Sequence, residues 1–178
     1  MQQNHQETPS STIEALKKQL AENPGASLEP LSREHGLSVA QLIELLPQEI
    51  WQRTDGSRFV DIMKALSKLG KMTIIINTGD VIFEYSGEVP NGGIAYGYYN
   101  LSPKSPLHGH LKHESCKAIY LVERPFMNTQ TVSIQFANAE GKIMFKVYAG
   151  RDEERKLLPD QVEAMRKIFR TDALGASA

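Results

Sequence analysis

The chain has 178 residues, 40% of them hydrophobic and 23% charged, and its formal net charge at pH 7 is −1. That composition argues against disorder, and the near-zero charge argues against nucleic acid as the main partner, because phosphate binding shows as a basic surplus. A single cysteine, Cys116, excludes an internal disulfide framework and fits a reducing compartment, while no apolar run reaches the ~20 residues of a membrane span. The polar start MQQNHQETPSS lacks the apolar core of a signal peptide. These features predict a soluble cytoplasmic protein.

Residues 1–10 are expected to form a loose tail, ahead of a single α+β domain over 11–172. Ser11-Thr12-Ile13-Glu14 has the spacing of a capping box, and Ile13, Leu16 and Leu20 repeat at helical spacing until Asn23-Pro24-Gly25. A short helix follows over Leu28–Glu34. Gly36 then turns the chain, and Ser38-Val39-Ala40-Gln41 caps a third helix carrying Leu42, Leu45 and Leu46. Together these make a helical extension over 11–50. The segment LEPLSREHGLSVAQLIELL has the layout of a DNA-binding helix-turn-helix. Its last helix, however, has no lysine or arginine and carries Glu44, so it reads as packing or dimer material. Trp51 falls in a link and is expected to fill core space. A fourth helix presents Phe59, Met63 and Leu66 and stops at Gly70.

From Lys71 the hydrophobic period changes from helical to alternating. MTIIIN, VIFEYSG, AYGYYNL, LHGHLK, KAIYLVE, TVSIQFA and IMFKVYA read as seven strands spread over 71–149. Asn77–Asp80 and Asn138–Lys142 are turn signals that make neighbours antiparallel, and Val89–Gly93 reads as a wider loop. A closing helix is predicted over 157–171, with Pro159 in its first turn and Val162, Met165 and Phe169 on one face; residues 173–178 should fray. Helices, a run of strands and a final helix make an α+β fold with a large twisted antiparallel sheet.

Chemistry-bearing residues concentrate between Ile94 and Glu114. IAYGYYNLSPKSPLHGHLKHE holds three tyrosines, three of the five histidines and two lysines, with no acid before Glu114. Strand alternation puts Tyr96 and Tyr98 on one face and Tyr99 on the other, and puts His108, His110 and Lys112 together with His113 opposed. If the two strands pair across Ser102–Pro106, tyrosines and histidines share a surface. Three readings follow. The tyrosines and histidines can be ordinary strand and surface residues. His108-Gly-His110-Leu-Lys-His113-Glu114 contains the His-x-His-x-x-x-Glu core of a cupin-like metal site, but its flanking glycines and a later histidine are missing. Haem is the third, since ferric iron takes imidazole or tyrosinate and the propionates seek cations.

The segments DVIFEYSGEVP (Asp80–Pro90), GYYNL (Gly97–Leu101), HGHLK (His108–Lys112), AIYLVERPFM (Ala118–Met127) and VYAGRDEER (Val147–Arg155) resemble the cytosolic haem-utilisation carriers of the HutX/ChuX type. The resemblance covers nearly the whole chain after its N-terminal tail. It implies a fold like one half of the larger bacterial haem-utilisation proteins and a homodimer. It also implies a non-catalytic role, with haem held as cargo for a cytosolic haem-degrading enzyme. Carried over residue by residue, it makes Tyr98 and His110 the candidate iron ligands. Lys112 becomes a partner for a propionate, and Tyr96 and His108 become lining residues. Asn77 stands where some members have a histidine, which moves the expectation toward Tyr98. Arg124 and Arg151 read as structural ion-pair residues and Met127 as core. Haem breakdown by the chain itself is the rival reading, although no flavin or nicotinamide motif is visible.

Overall fold

In the computed structural model, residues 9–170 are described, and everything below concerns those residues. In chain order they form α1 (Ser10–Glu22), α2 (Leu28–His35), α3 (Val39–Leu45), β1 (Trp51–Asp55), α4 (Phe59–Leu66), β2 (Lys71–Asn77) and β3 (Ile82–Glu88). There follow β4 (Gly92–Ala95), β5 (Tyr98–Leu101), β6 (His110–Leu111), β7 (Cys116–Phe126), β8 (Thr129–Asn138), β9 (Ile143–Tyr148) and α5 (Pro159–Arg170). The expected tail lies outside the described residues up to residue 8, and the expected frayed end over 173–178 lies outside them too.

A six-stranded sheet in the order β1-β7-β8-β9-β2-β3 carries the fold, and every pairing in it is antiparallel. Its longest strand, β7, next to the β1 edge, is covered on both sides. Ile119 and Leu121 point into a core shared with α4 and α5, while Ala118, Tyr120 and Val122 point into a second core under α1–α3. Full burial of a Leu, Ile or Phe side chain stabilises by roughly 1.5–3 kcal/mol, so these two apolar layers hold both helical covers in place. The fold is thus α+β, with N-terminal helices, a large antiparallel sheet and a C-terminal helix.

The helix-turn-helix-like segment has a packing role here. Ala40, Leu42 and Ile43 of α3 are buried against the sheet, and Glu44 accepts a hydrogen bond from the Tyr120 hydroxyl at 2.7 Å. The capping box at Ser38 and Gln41 forms as expected. The one expected at Ser11 does not: α1 starts a residue earlier behind Pro9, which puts Ser11 inside the first turn.

Nine strands stand where seven were expected. β1 is new, because WQRTD has no β-branched run; it is an edge strand held by its register with β7, Trp51 facing Val122. Trp51 does pack as expected, with its ring 6.2 Å from that of Tyr120. AYGYYNL is not one strand but the turn and second arm of a hairpin. Met127 is not core: it sits 81% exposed at the β7–β8 turn, where Met127 and Asn128 both take positive φ. Arg124 and Arg151 are structural, but they bind carbonyls rather than acids. Arg124 Nη1 donates to Pro24 O and Ala26 O, and Arg151 donates to Gln130 O and Arg155 O.

Candidate functional site

A separate three-stranded sheet, ordered β4-β5-β6, packs one of its faces on the core between the large sheet and α4. Alternation along β5 sorts its side chains. Tyr99 and Leu101 point inward, and the Tyr99 ring meets Phe59 edge-on at 5.8 Å. Burial raises the pKa of the Tyr99 hydroxyl above its ordinary value, which disfavours its use as a phenolate. Tyr98 and Asn100 therefore point outward. Glycine is required at position 92, opposite Leu101, because a Cβ there would lie 2.5 Å from Asn100 O and 2.7 Å from the Tyr99 ring.

β6 adds His110 to this outer face. Asn100 pairs with His110 across the two strands, and Tyr98 lies diagonally, with its ring centroid 6.0 Å from that of His110. His110 Nδ1 is 2.5 Å from Asn100 Oδ1. Both rings are exposed, Tyr98 at 41%. A phenol and an imidazole thus sit side by side with open space in front of them, a donor set that suits ferric iron.

The other three candidates lie apart from this pair. Tyr96 does not share the strand with Tyr98: it and Gly97 form the two-residue turn between β4 and β5, with φ of 53° and 78°. It stands 99% exposed at that apex. His108 precedes β6, and Gly109 at φ 154° breaks the alternation that was to align it with His110; its Nδ1 lies 3.2 Å from Ser105 O. Lys112 has left the strand for the short turn that begins at His113, and it is exposed. Two-residue strands cannot impose a face on residues beyond their ends. Among the described residues no three His, Cys, Asp or Glu side chains gather as a metal site, so the cupin-like set is not assembled.

A concave cleft lies elsewhere. A cleft of about 1130 Å³ opens between the α2–α3 hairpin and the β2 and β9 strands, and Asn77 lines it. Arg33, Lys142 and Lys146 supply cations and Ile75, Ile143 and Met144 supply apolar surface. Its described lining includes no histidine, tyrosine or cysteine, and none of the five candidates from the sequence.

The haem utilisation ChuX/HutX family profile matches residues 52–168, which span both sheets and most of α5. The chain belongs to the ChuX/HutX family. Among its relatives, the intracellular heme transport protein HutX of Vibrio cholerae is 37% identical over 85% of this chain and 81% of its own. The solved heme-binding protein ChuX superposes with a TM-score of 0.80 at 34% identity, over 89% of this chain and 99% of its own. The larger holo-PhuS of Pseudomonas aeruginosa has the same fold over 86% of this chain but only 44% of its own length, with a TM-score of 0.69 at 18% identity. The likeness to one half of the larger haem-utilisation proteins is therefore a likeness of fold. No helix among the described residues is long and apolar enough to cross a membrane.

Proposed function

We propose that this ChuX/HutX-family chain binds haem in the cytoplasm and hands it to a haem-degrading enzyme, without chemistry of its own. The observation that carries the reading is the Tyr98–His110 pair, two strong ligands for ferric iron on one open sheet face in a family whose relatives are named for haem binding and transport. Tyr98 is the proposed iron ligand and His110 its second ligand or hydrogen-bond partner. Tyr96, at the apex of the same hairpin, is proposed as an aromatic wall for the bound haem, Lys112 as a propionate partner and His108 as a lining residue. The open face favours the role of carrier, since release depends on how fast the cargo leaves and an exposed ligand pair leaves the iron reachable by an acceptor.

A second copy of the chain is the partner that the family resemblance implies. The apolar stripes of α1–α3 are consumed by the sheet, so they are not free to join a partner. The β2–β3 hairpin is different: β9 pairs with β2 only at Thr73–Ile75, so the hairpin's far end projects from the sheet with Ile82 and Phe83 exposed on both sides. Phe83→Lys should lower the mass seen by sedimentation velocity. An unchanged dimer would move the interface elsewhere, and a monomeric wild type would end the proposal.

Haem titration tests the carrier reading. Ferric haem added to the apo-protein should give a sharpened Soret band that saturates near equimolar haem. Adding a reductant under air should leave that spectrum intact. Steady bleaching would make the chain a degrader, and no Soret change would overturn both readings.

A further inference from the structure

Asn100 was not among the residues singled out by their chemistry, yet its amide is fully engaged. Its Nδ2 lies 2.9 Å from Ala95 O, 3.0 Å from Tyr98 O and 3.5 Å from Gly93 O. All three are carbonyl oxygens, which only accept, so the NH2 end of the amide must face them. Turning the amide round would set its oxygen against three acceptors. That fixes the other end: Oδ1, an acceptor, is the atom that meets His110 Nδ1 at 2.5 Å.

A neutral imidazole has one N–H and one bare nitrogen, and the partner of one nitrogen decides the state of the other. An acceptor at Nδ1 requires the proton there. Nε2 is then the bare nitrogen, the one with a lone pair to offer a metal. We infer that Asn100 is a positioning residue that holds His110 as the Nδ1–H tautomer, ready to give Nε2 to haem iron. The backbone of the β4–β5 hairpin aims Asn100, and Asn100 aims the histidine. The same hairpin carries Tyr98 and Tyr96, so one local structure orients each of these groups. The inference rests on the haem reading above for its use, but its first test does not.

Long-range proton–nitrogen NMR of the apo-protein labelled with 15N-histidine reads each ring's tautomer directly. His110, assigned by its loss in His110→Ala, should be Nδ1–H in the wild type. In Asn100→Leu it should shift toward the Nε2–H form that histidine prefers in water. If leucine prevents folding, Asn100→Ser, too short to reach the ring, makes the same test. An Nε2–H tautomer in the wild type, or no change in Asn100→Leu, would overturn the inference. Haem titration supplies the second readout: Asn100→Leu should weaken binding ~10- to 100-fold, the usual cost of losing a group that orients a metal-ligating histidine. Wild-type affinity in Asn100→Leu, when His110→Ala is weakened, would overturn it as well. Wild-type affinity in His110→Ala would instead refute the ligand assignment and leave the tautomer result standing by itself.

Discussion

Tyr96 holds a conformation that a tyrosine should avoid. At φ 53° it occupies the left-handed region, where the Cβ of an ordinary residue crowds the following carbonyl at a cost of roughly 1–2 kcal/mol. Two-residue hairpin turns of this hand favour Asn-Gly, and here Gly97 is present but asparagine is not. The tyrosine recovers nothing by burial, since 99% of it is exposed. Replacing Tyr96 with asparagine should therefore stabilise the chain by about 1 kcal/mol, the lower end of that strain, because no packing is lost. For a chain of this size that is a rise of roughly 2–4 °C in melting temperature. Urea unfolding should show a higher midpoint with an unchanged slope. On the role proposed for Tyr96 as a wall of the haem site, haem should leave the variant faster. Reduced stability in Tyr96→Asn would refute the strain argument. A gain in stability with haem release unchanged would refute the role given to Tyr96.

Three further outcomes follow from buried polar contacts and the site. Arg124 is buried and ties the α1–α2 connection to β7 through Pro24 O and Ala26 O, so Arg124→Met should cost about 2–4 kcal/mol in urea unfolding; a loss under about 1 kcal/mol would show that the carbonyls find other donors. Glu29 on α2 is part-buried, which resists its ionisation, but Lys146 on β9 outweighs that and holds its pKa below the ordinary 4.5. A lowered folded value stabilises above the unfolded pKa and is lost as pH falls through the folded one, so wild-type stability should fall below pH 4.5 more steeply than that of Glu29→Gln. Parallel curves for the two proteins would contradict it. Tyr98→Phe should remove the charge-transfer absorption of a ferric tyrosinate from the haem complex; an unchanged spectrum would make His110 the ligand.

The long strands were legible because they are buried on alternating faces: Ile119 and Leu121 against Ala118, Tyr120 and Val122 is a pattern that burial alone imposes. β1 was not, because at the sheet edge its side chains face solvent except Thr54 and the partly buried Trp51, and its order comes from pairing with β7. The site divides in the same way. Tyr98, Tyr99 and His110 were sorted onto their faces because each sits within a paired strand. Tyr96, His108 and Lys112 were misplaced because period-two reasoning was carried across a turn and past the ends of a two-residue strand. The Tyr-Gly dipeptide was the available signal for that turn, weaker than Asn-Gly because tyrosine rarely takes positive φ. Asn100 could not be read at all: its significance lies in three carbonyls from its own hairpin and in a cross-strand partner ten residues away.

The central claim is that haem sits on the Tyr98–His110 face and not in the larger cleft beside Asn77. Titrating ferric haem into the Tyr98→Phe/His110→Ala double variant tests it directly. The double variant should keep its fold by circular dichroism and show no saturable Soret change, while the wild type saturates near equimolar haem. A double variant that binds haem as the wild type does would contradict the claim and move the cargo to the cleft between α2–α3 and β9.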